Sequence, residues 1–433
     1  MLERTPPSPA SANAPAAPKV RDVPDVPDVA DLPGETGGGV PALFTPFARR
    51  ALSVRNRLVV SPMCQYRAQE GRVADWHLEH HARLALGGVG AALVEATAVT
   101  RDGRISEGCL GLWDDAQIDG LARIAAIYHR QGAALGVQIG HAGRKGSSAP
   151  PWDGAGPLAR DASERAWQTV APSALAHAPG WPAPAELGAA QIARIVEAFA
   201  NAARRAVRAG VDFIEIHGAH GYLIHTFLSP LANCREDDYG GSPHARMRFA
   251  LDVAHAVRAA IPATMPLWFR ASCVDGLEGG LTLDDTIALA RALKTAGVDV
   301  IDCSSGGIRG PVASGGARET PGHQVPYAAA IRRGAQIATV AVGLITDPHE
   351  AERIVAHGDA DLVALARELL ADPNFPYRAA CALGLPEPHR VLPAAFAFFL
   401  ARRNMHARPV DGKPIDPADQ PVDASGRQRP PRT

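Results

Sequence analysis

Eight short runs of apolar, largely β-branched residues recur along the chain, and an amphipathic, Ala-rich stretch follows each of the first seven. The runs are Leu58–Val60, Ala91–Glu95, Leu135–Ile139, Phe213–Ile216, Leu267–Arg270, Val300–Asp302, Thr339–Val342 and Leu362–Leu365. Helical periodicity covers Asp75–Leu86, Asp115–Arg130, Gln191–Ala209, Pro243–Ala259, Leu283–Ala296, Tyr327–Arg333 and Pro348–His357. Parallel strands need a crossover of a dozen or more residues, which a helix fills. Eight such units predict an α/β chain closed as a (β/α)8 TIM barrel. An open doubly wound sheet would carry a GxGxxG fingerprint after an early strand, and none is present.

The flanks lack this rhythm. Residues 1–40 are rich in Pro and Ala and then repeat Asp-Val-Pro, a composition too poor in buried side chains to order itself. Residues 404–433 are again dominated by Pro, Asp and Arg and read as a loose tail. The barrel is therefore expected over 41–403. The first segment lacks the apolar core of a secretory signal, and its aspartates argue against a transit peptide. No run of about 18 apolar residues predicts a membrane span. With 44 basic and 45 acidic residues there is no basic excess for nucleic acid. Six cysteines, at 64, 109, 234, 273, 303 and 381, form no CxxC, which disfavours zinc ribbons and points to a reducing cytoplasm.

Two strand-to-helix connections are unusually long, Gly140 to Leu187 and His217 to Ser242. That side of a barrel is where chemistry is placed. His217, His220 and Tyr222 follow the fourth run. Two neutral imidazoles can each donate one N–H to a single oxygen as it becomes negative, and a tyrosine can supply a proton. His217, His220 and His225 are also enough nitrogen ligands for a zinc-dependent hydrolase. Cys64, in Ser61-Pro62-Met63-Cys64-Gln65-Tyr66 after the first run, is either a small buried hydrophobe or a reactive thiol. Gln138 ends the third run and needs partners, such as a heterocycle edge. Arg270 ends the fifth and needs an anion, from a ligand or from a structural ion pair. Gly343 and Ala366-Arg367 follow the last two runs, where barrels often hold a phosphate, and Gly306-Gly307 permits a close backbone approach to a ligand. Together these residues describe a phosphate-bearing heterocyclic cofactor facing a small electrophile. FMN fits. Pyridoxal phosphate would need a Schiff-base lysine, and Lys19, Lys145, Lys294 and Lys413 all lie away from the predicted strand ends.

From about Ala42 to Arg403 the chain resembles the Old Yellow Enzyme family of FMN-dependent ene-reductases, in its YqjM and xenobiotic reductase A-like branch. The motifs that carry the resemblance, in order, are Ser61-Pro62-Met63-Cys64-Gln65-Tyr66, Glu95-Ala96-Thr97, Gln138 with His141-Ala142-Gly143-Arg144-Lys145, Glu215-Ile216-His217-Gly218-Ala219-His220-Gly221-Tyr222-Leu223, Phe227-Leu228-Ser229-Pro230 and Gly358-Asp359-Ala360-Asp361-Leu362-Val363. The resemblance implies that Ser61, Pro62, Met63 and Cys64 lie against the flavin. It places Ala96 and Gln138 on the isoalloxazine edge, Arg270 by N1 and O2, and Gly343, Ala366 and Arg367 on the phosphate. It assigns His217 and His220 to the substrate carbonyl oxygen, Tyr66 to the pocket lining and Tyr222 to proton donation.

The implied reaction passes hydride from NADPH to FMN, and then from FMN to the β-carbon of an enone. The rival classes are the zinc hydrolase and a flavin-binding protein without turnover. Ala366 departs from the glycine common in the family, which matters if that position needs a positive φ. Phe396, Phe398, Phe399, Arg402 and Arg403 combine residue types enriched at interface centres. In the resembling branch this segment enters a neighbour's pocket, which implies a homodimer or homotetramer.

Overall fold

The computed structural model describes residues 39–158, 165–309 and 320–406. The expected tails, save for 39–40 and 404–406, lie outside them.

All eight predicted runs are strands, and they close into one parallel barrel in chain order. The first barrel strand, Leu58–Val60, is hydrogen-bonded to both Ala91–Ala98 and Leu362–Leu365. The remaining strands are Ala134–Gly140, Phe213–Gly218, Leu267–Ser272, Val300–Ser304 and Ala338–Ala341. A parallel strand under helices is buried on both faces, so it reads as a continuous apolar run. The helices are amphipathic for the same reason. Ala189–Arg208 turns Ile192, Ile195, Phe199, Ala202, Ala203 and Ala206 onto the barrel. Its start was predicted within two residues. Helix entries are locally encoded: Ser242 accepts the Ala245 N–H ahead of Pro243–Ala260, and Asp347 accepts those of His349 and Glu350 ahead of Pro348–Ala356.

Three features carry no such signal. A hairpin of Phe47–Arg49 and Leu52–Val54 plugs the barrel floor, packing Phe47, Leu52 and Val54 against Val59, Trp268 and Leu362. Its strands are three residues long, too short for a period. The two long connections are also ordered in part. The first carries a two-stranded parallel ladder, Val170–Ala171 with Ala185–Glu186, and the second a short helix, Leu223–Leu228. After the last strand come helices at Arg367–Ala371, Phe375–Ala382 and Ala394–His406. The last of these leaves Phe396, Phe398 and Phe399 exposed, the third at 69%. The guanidinium of Arg402 sits 3.9 Å from the Phe398 ring centroid.

Candidate active site

The fourth barrel strand delivers His217 to the barrel mouth, and the chain then turns sharply. His220 has φ +62° and Gly221 φ +73°. A Cβ on Gly221 would meet the Gly307 carbonyl oxygen at 2.1 Å, and one on Gly307 would meet the His220 Cα at 2.7 Å. Protein packing by itself therefore requires glycine at Gly307. Lys145 ties the two loops together by donating to the carbonyls of His220 at 2.8 Å and Gly307 at 3.3 Å.

This turn brings three rings together. The His217 and His220 centroids are 5.0 Å apart, and Tyr222 lies 5.0 Å from His217 and 6.5 Å from His220. The Ala219 N–H donates to Nδ1 of His217 at 3.3 Å, so the ring proton sits on Nε2. Nε2 of His220 is 2.7 Å from the Ser304 hydroxyl, which leaves Nδ1 to face a ligand. Burial and the Arg270 charge hold both imidazoles well below their ordinary pKa, so both are neutral. Burial pushes the Tyr222 phenol well up, so it keeps its proton.

His225 does not join this group. Its Nδ1 accepts the Gly221 N–H at 2.8 Å and its Nε2 lies 2.9 Å from Asp275 Oδ1, with both side chains fully buried. Both nitrogens are committed to the wall, which removes the third ligand from the zinc reading.

On the opposite side, Glu95 anchors the loop after the first strand. Its Oε2 accepts the Gln65 N–H at 2.8 Å, and its Oε1 lies 3.2 Å from His77 Nε2. Tyr66 next in the chain has φ +52°, and Cys64 stays partly accessible. Burial and the Glu95 carboxylate push the Cys64 thiol well up, so it is not a thiolate. Ala96 falls where the ladder to the third strand shifts register, between Val94 and Thr97. The irregularity frees its backbone for another partner. Glu95 and His77 were missed as site residues. The signal was there in Glu95, a carboxylate inside an apolar strand.

The floor of the mouth is a buried polar row. Gln138 donates through Nε2 to Glu215 Oε1 at 2.8 Å, leaving its Oε1 without a protein partner among the described residues. Arg270 Nη1 donates to Ser61 Oγ at 3.3 Å, and its Nε is 3.3 Å from Asp302 Oδ2. The structural ion pair is therefore present, and Nη2 remains for an acceptor above. Burial and the Asp302 charge push Glu215 well above the carboxylate range. Across the mouth, Gly343 has φ +127°, and a Cβ there would lie 2.8 Å from Gln324 Nε2. Ala366 has φ −118°, so the position does not need the positive φ that favours glycine. The backbone N–H groups of Gly343, Leu344, Ala366 and Arg367 have no hydrogen-bond partner among the described residues.

These features match a known group of proteins. A family model described as the NADH:flavin oxidoreductase / NADH oxidase family matches residues 42–385. An NADPH dehydrogenase of Geobacillus sp. (strain WCH70) is 46% identical over 344 residues, 79% of this chain and 94% of its own. One from Bacillus subtilis (strain 168) is 41% identical over 348 residues, 80% and 96% of the two chains. Among solved structures, morphinone reductase aligns with a TM-score of 0.66 at 26% identity, over 80% of this chain and 91% of that one. A 2-naphthoyl-CoA reductase gives 0.70 at 26% identity over 80% of this chain, which spans only 53% of that larger protein.

Fold and donor set define a flavin-dependent barrel oxidoreductase. The chain belongs to the NADH:flavin oxidoreductase / NADH oxidase family, the Old Yellow Enzyme group, whose cofactor is FMN. The residues present fit that cofactor. Gln138 and Arg270 offer an acceptor and donors for the edge of a polar heterocycle, and the N–H groups of Gly343, Leu344, Ala366 and Arg367 suit a phosphate. Among the described residues no helix is long and apolar enough to cross a membrane.

Proposed function

We propose that this FMN-dependent NADPH dehydrogenase reduces the carbon–carbon double bond of α,β-unsaturated carbonyl compounds. The observation that carries the reading is the cluster of His217, His220 and Tyr222, three buried or half-buried rings with two neutral imidazoles and a protonated phenol. Bound FMN would accept hydride from NADPH and deliver it to the substrate. Nε2–H of His217 and Nδ1–H of His220 would hold the carbonyl oxygen. They matter most as enolate charge builds there, which speeds the chemical step rather than only binding. Tyr222 would protonate the α-carbon. Ser61, Pro62, Met63, Cys64, Ala96, Gln138 and Arg270 would bind the isoalloxazine, and Gly343, Ala366 and Arg367 the phosphate. Tyr66 would line the substrate side.

The helix Ala394–His406, with its exposed phenylalanines, would be covered by a second copy in a homodimer or homotetramer. The unpaired cysteines agree with a cytoplasmic site of action.

Anaerobic addition of NADPH to the purified yellow protein should bleach the flavin absorbance, and a simple cyclic enone should restore it. Bleaching without recovery would reject enone reduction. A yellow protein inert to NADPH would be a flavin binder without turnover.

A further inference from the structure

Arg67 follows Tyr66 at the rim of the barrel mouth and is exposed. Its guanidinium lies 5.2 Å from the ring centroid of Trp76 and 5.6 Å from that of Trp152. Both indoles face solvent, at 48% and 58% exposure. Each is nevertheless held in place. Trp76 Nε1 donates to Gln65 Oε1 at 3.1 Å, and Trp152 packs edge to face on Tyr66 at 5.6 Å. Neighbouring cations are committed: Arg101 to Glu70 at 2.6 Å, and Arg104 to the carbonyls of Arg101 and Glu107 at 2.8 and 3.2 Å. Among the described residues, Arg67 makes no ion pair and no side-chain hydrogen bond.

A guanidinium braced between aromatic rings, with its fork of N–H groups unspent, is a preorganised anion receptor. Two exposed indoles beside it add stacking faces for a planar group. We propose that Arg67, Trp76 and Trp152 seat the 2′-phosphoadenosine end of NADPH, with the phosphate on Arg67 and the adenine against an indole. The nicotinamide must reach the pocket of His217 and His220. The rest of the dinucleotide then leaves the mouth, and Tyr66 together with Trp152 links that pocket to the rim. The inference rests on NADPH being the hydride donor and not on the identity of the oxidising substrate.

Calorimetric titration of the flavin-loaded enzyme with 2′,5′-ADP and 5′-AMP tests it without turnover. The wild type should bind 2′,5′-ADP about ten-fold more tightly or better, the size of one charge-assisted contact. Arg67→Ala should abolish that discrimination. Arg67→Lys should retain part of it, because an ammonium keeps the charge but not the fork. Trp152→Ala should weaken both nucleotides. In stopped-flow reduction, the ratio of apparent Kd for NADPH and NADH should move towards one in Arg67→Ala. Full discrimination in Arg67→Ala overturns the proposal. So does an Arg67→Ala enzyme whose defect is confined to carboxylate-bearing enones, since the rim would then read the substrate. An enzyme that NADPH reduces but enones fail to reoxidise refutes the proposed substrate and leaves the nucleotide titration to decide on the rim.

Discussion

The Glu95 carboxylate accepts the backbone N–H of Gln65 across 2.8 Å, and through it the second barrel strand sets the conformation of the loop on the first. His77 Nδ1 accepts the Ala74 N–H at 3.0 Å, so its Nε2 proton points at Glu95 and closes the chain. Tyr66 takes its left-handed backbone beside this anchor. Glu95→Gln would set an amide N–H₂ against one of two donors. A buried donor left unpaired costs about 1–3 kcal/mol. The variant should therefore have a lower urea midpoint and lose FMN more readily on dialysis.

Replacing both His217 and His220 by Ala removes the two donors proposed for the carbonyl oxygen but none of the residues proposed for the flavin. Loss of one such donor typically costs on the order of 10²–10³ in rate. The flavin spectrum should be retained while enone reoxidation slows at least that far. Tyr222→Phe should slow reoxidation and spare reduction by NADPH, which stopped-flow measurement of the two half-reactions separates.

Buried neutral histidines tie the stability of the fold to pH. Burial holds His81, His217 and His220 well below their ordinary pKa, helped at His217 and His220 by the Arg270 charge, and pushes His141 down to about 4. Below about pH 6.5 the unfolded chain binds protons that the fold does not yet bind. The stability these neutral rings contribute is thus complete above pH 6.5 and is lost as the pH falls towards 4. Glu95, Glu215 and Asp302 act in the opposite sense, because burial makes the fold protonate them first. Taking the pH from 7.5 to 5 should therefore lower the urea midpoint of the wild type relative to that of the His217→Asn/His220→Asn variant.

Asp275→Asn should unfold at a markedly lower temperature. Asp275 Oδ2 accepts the Ser229 hydroxyl at 2.6 Å and the Leu281 N–H at 2.7 Å while Oδ1 faces His225. An amide cannot accept from all three. Breaking a buried pair of this kind costs about 3–5 kcal/mol. Thermal melting checks this, and zinc addition should give no rescue.

Ending the chain before Phe396 should loosen the proposed self-association while FMN stays bound. Analytical ultracentrifugation should show a smaller species, with a raised KM for the enone if the segment reaches a neighbouring pocket.

The eight strands were legible because strands buried on both faces need unbroken apolar runs, and their count and order determine a closed barrel. Helix entries are also locally specified, since Ser242 and Asp347 act on N–H groups two or three positions away, although periodicity alone placed those helices. The cluster of His217, His220 and Tyr222 was legible because all three lie within one strand end and its turn.

What only the tertiary structure decided depends on partners remote in sequence. His225 matched a metal spacing, yet Asp275, 50 positions on, takes its free nitrogen. Arg270 was read with an ion pair as one alternative, but only barrel register puts Asp302 beside it. Whether Ala366 could replace glycine rested on a φ of −118° that no local pattern specifies. Arg67 gave no signal as a residue, because its two indoles come from positions 76 and 152 and meet only at the rim of the folded barrel.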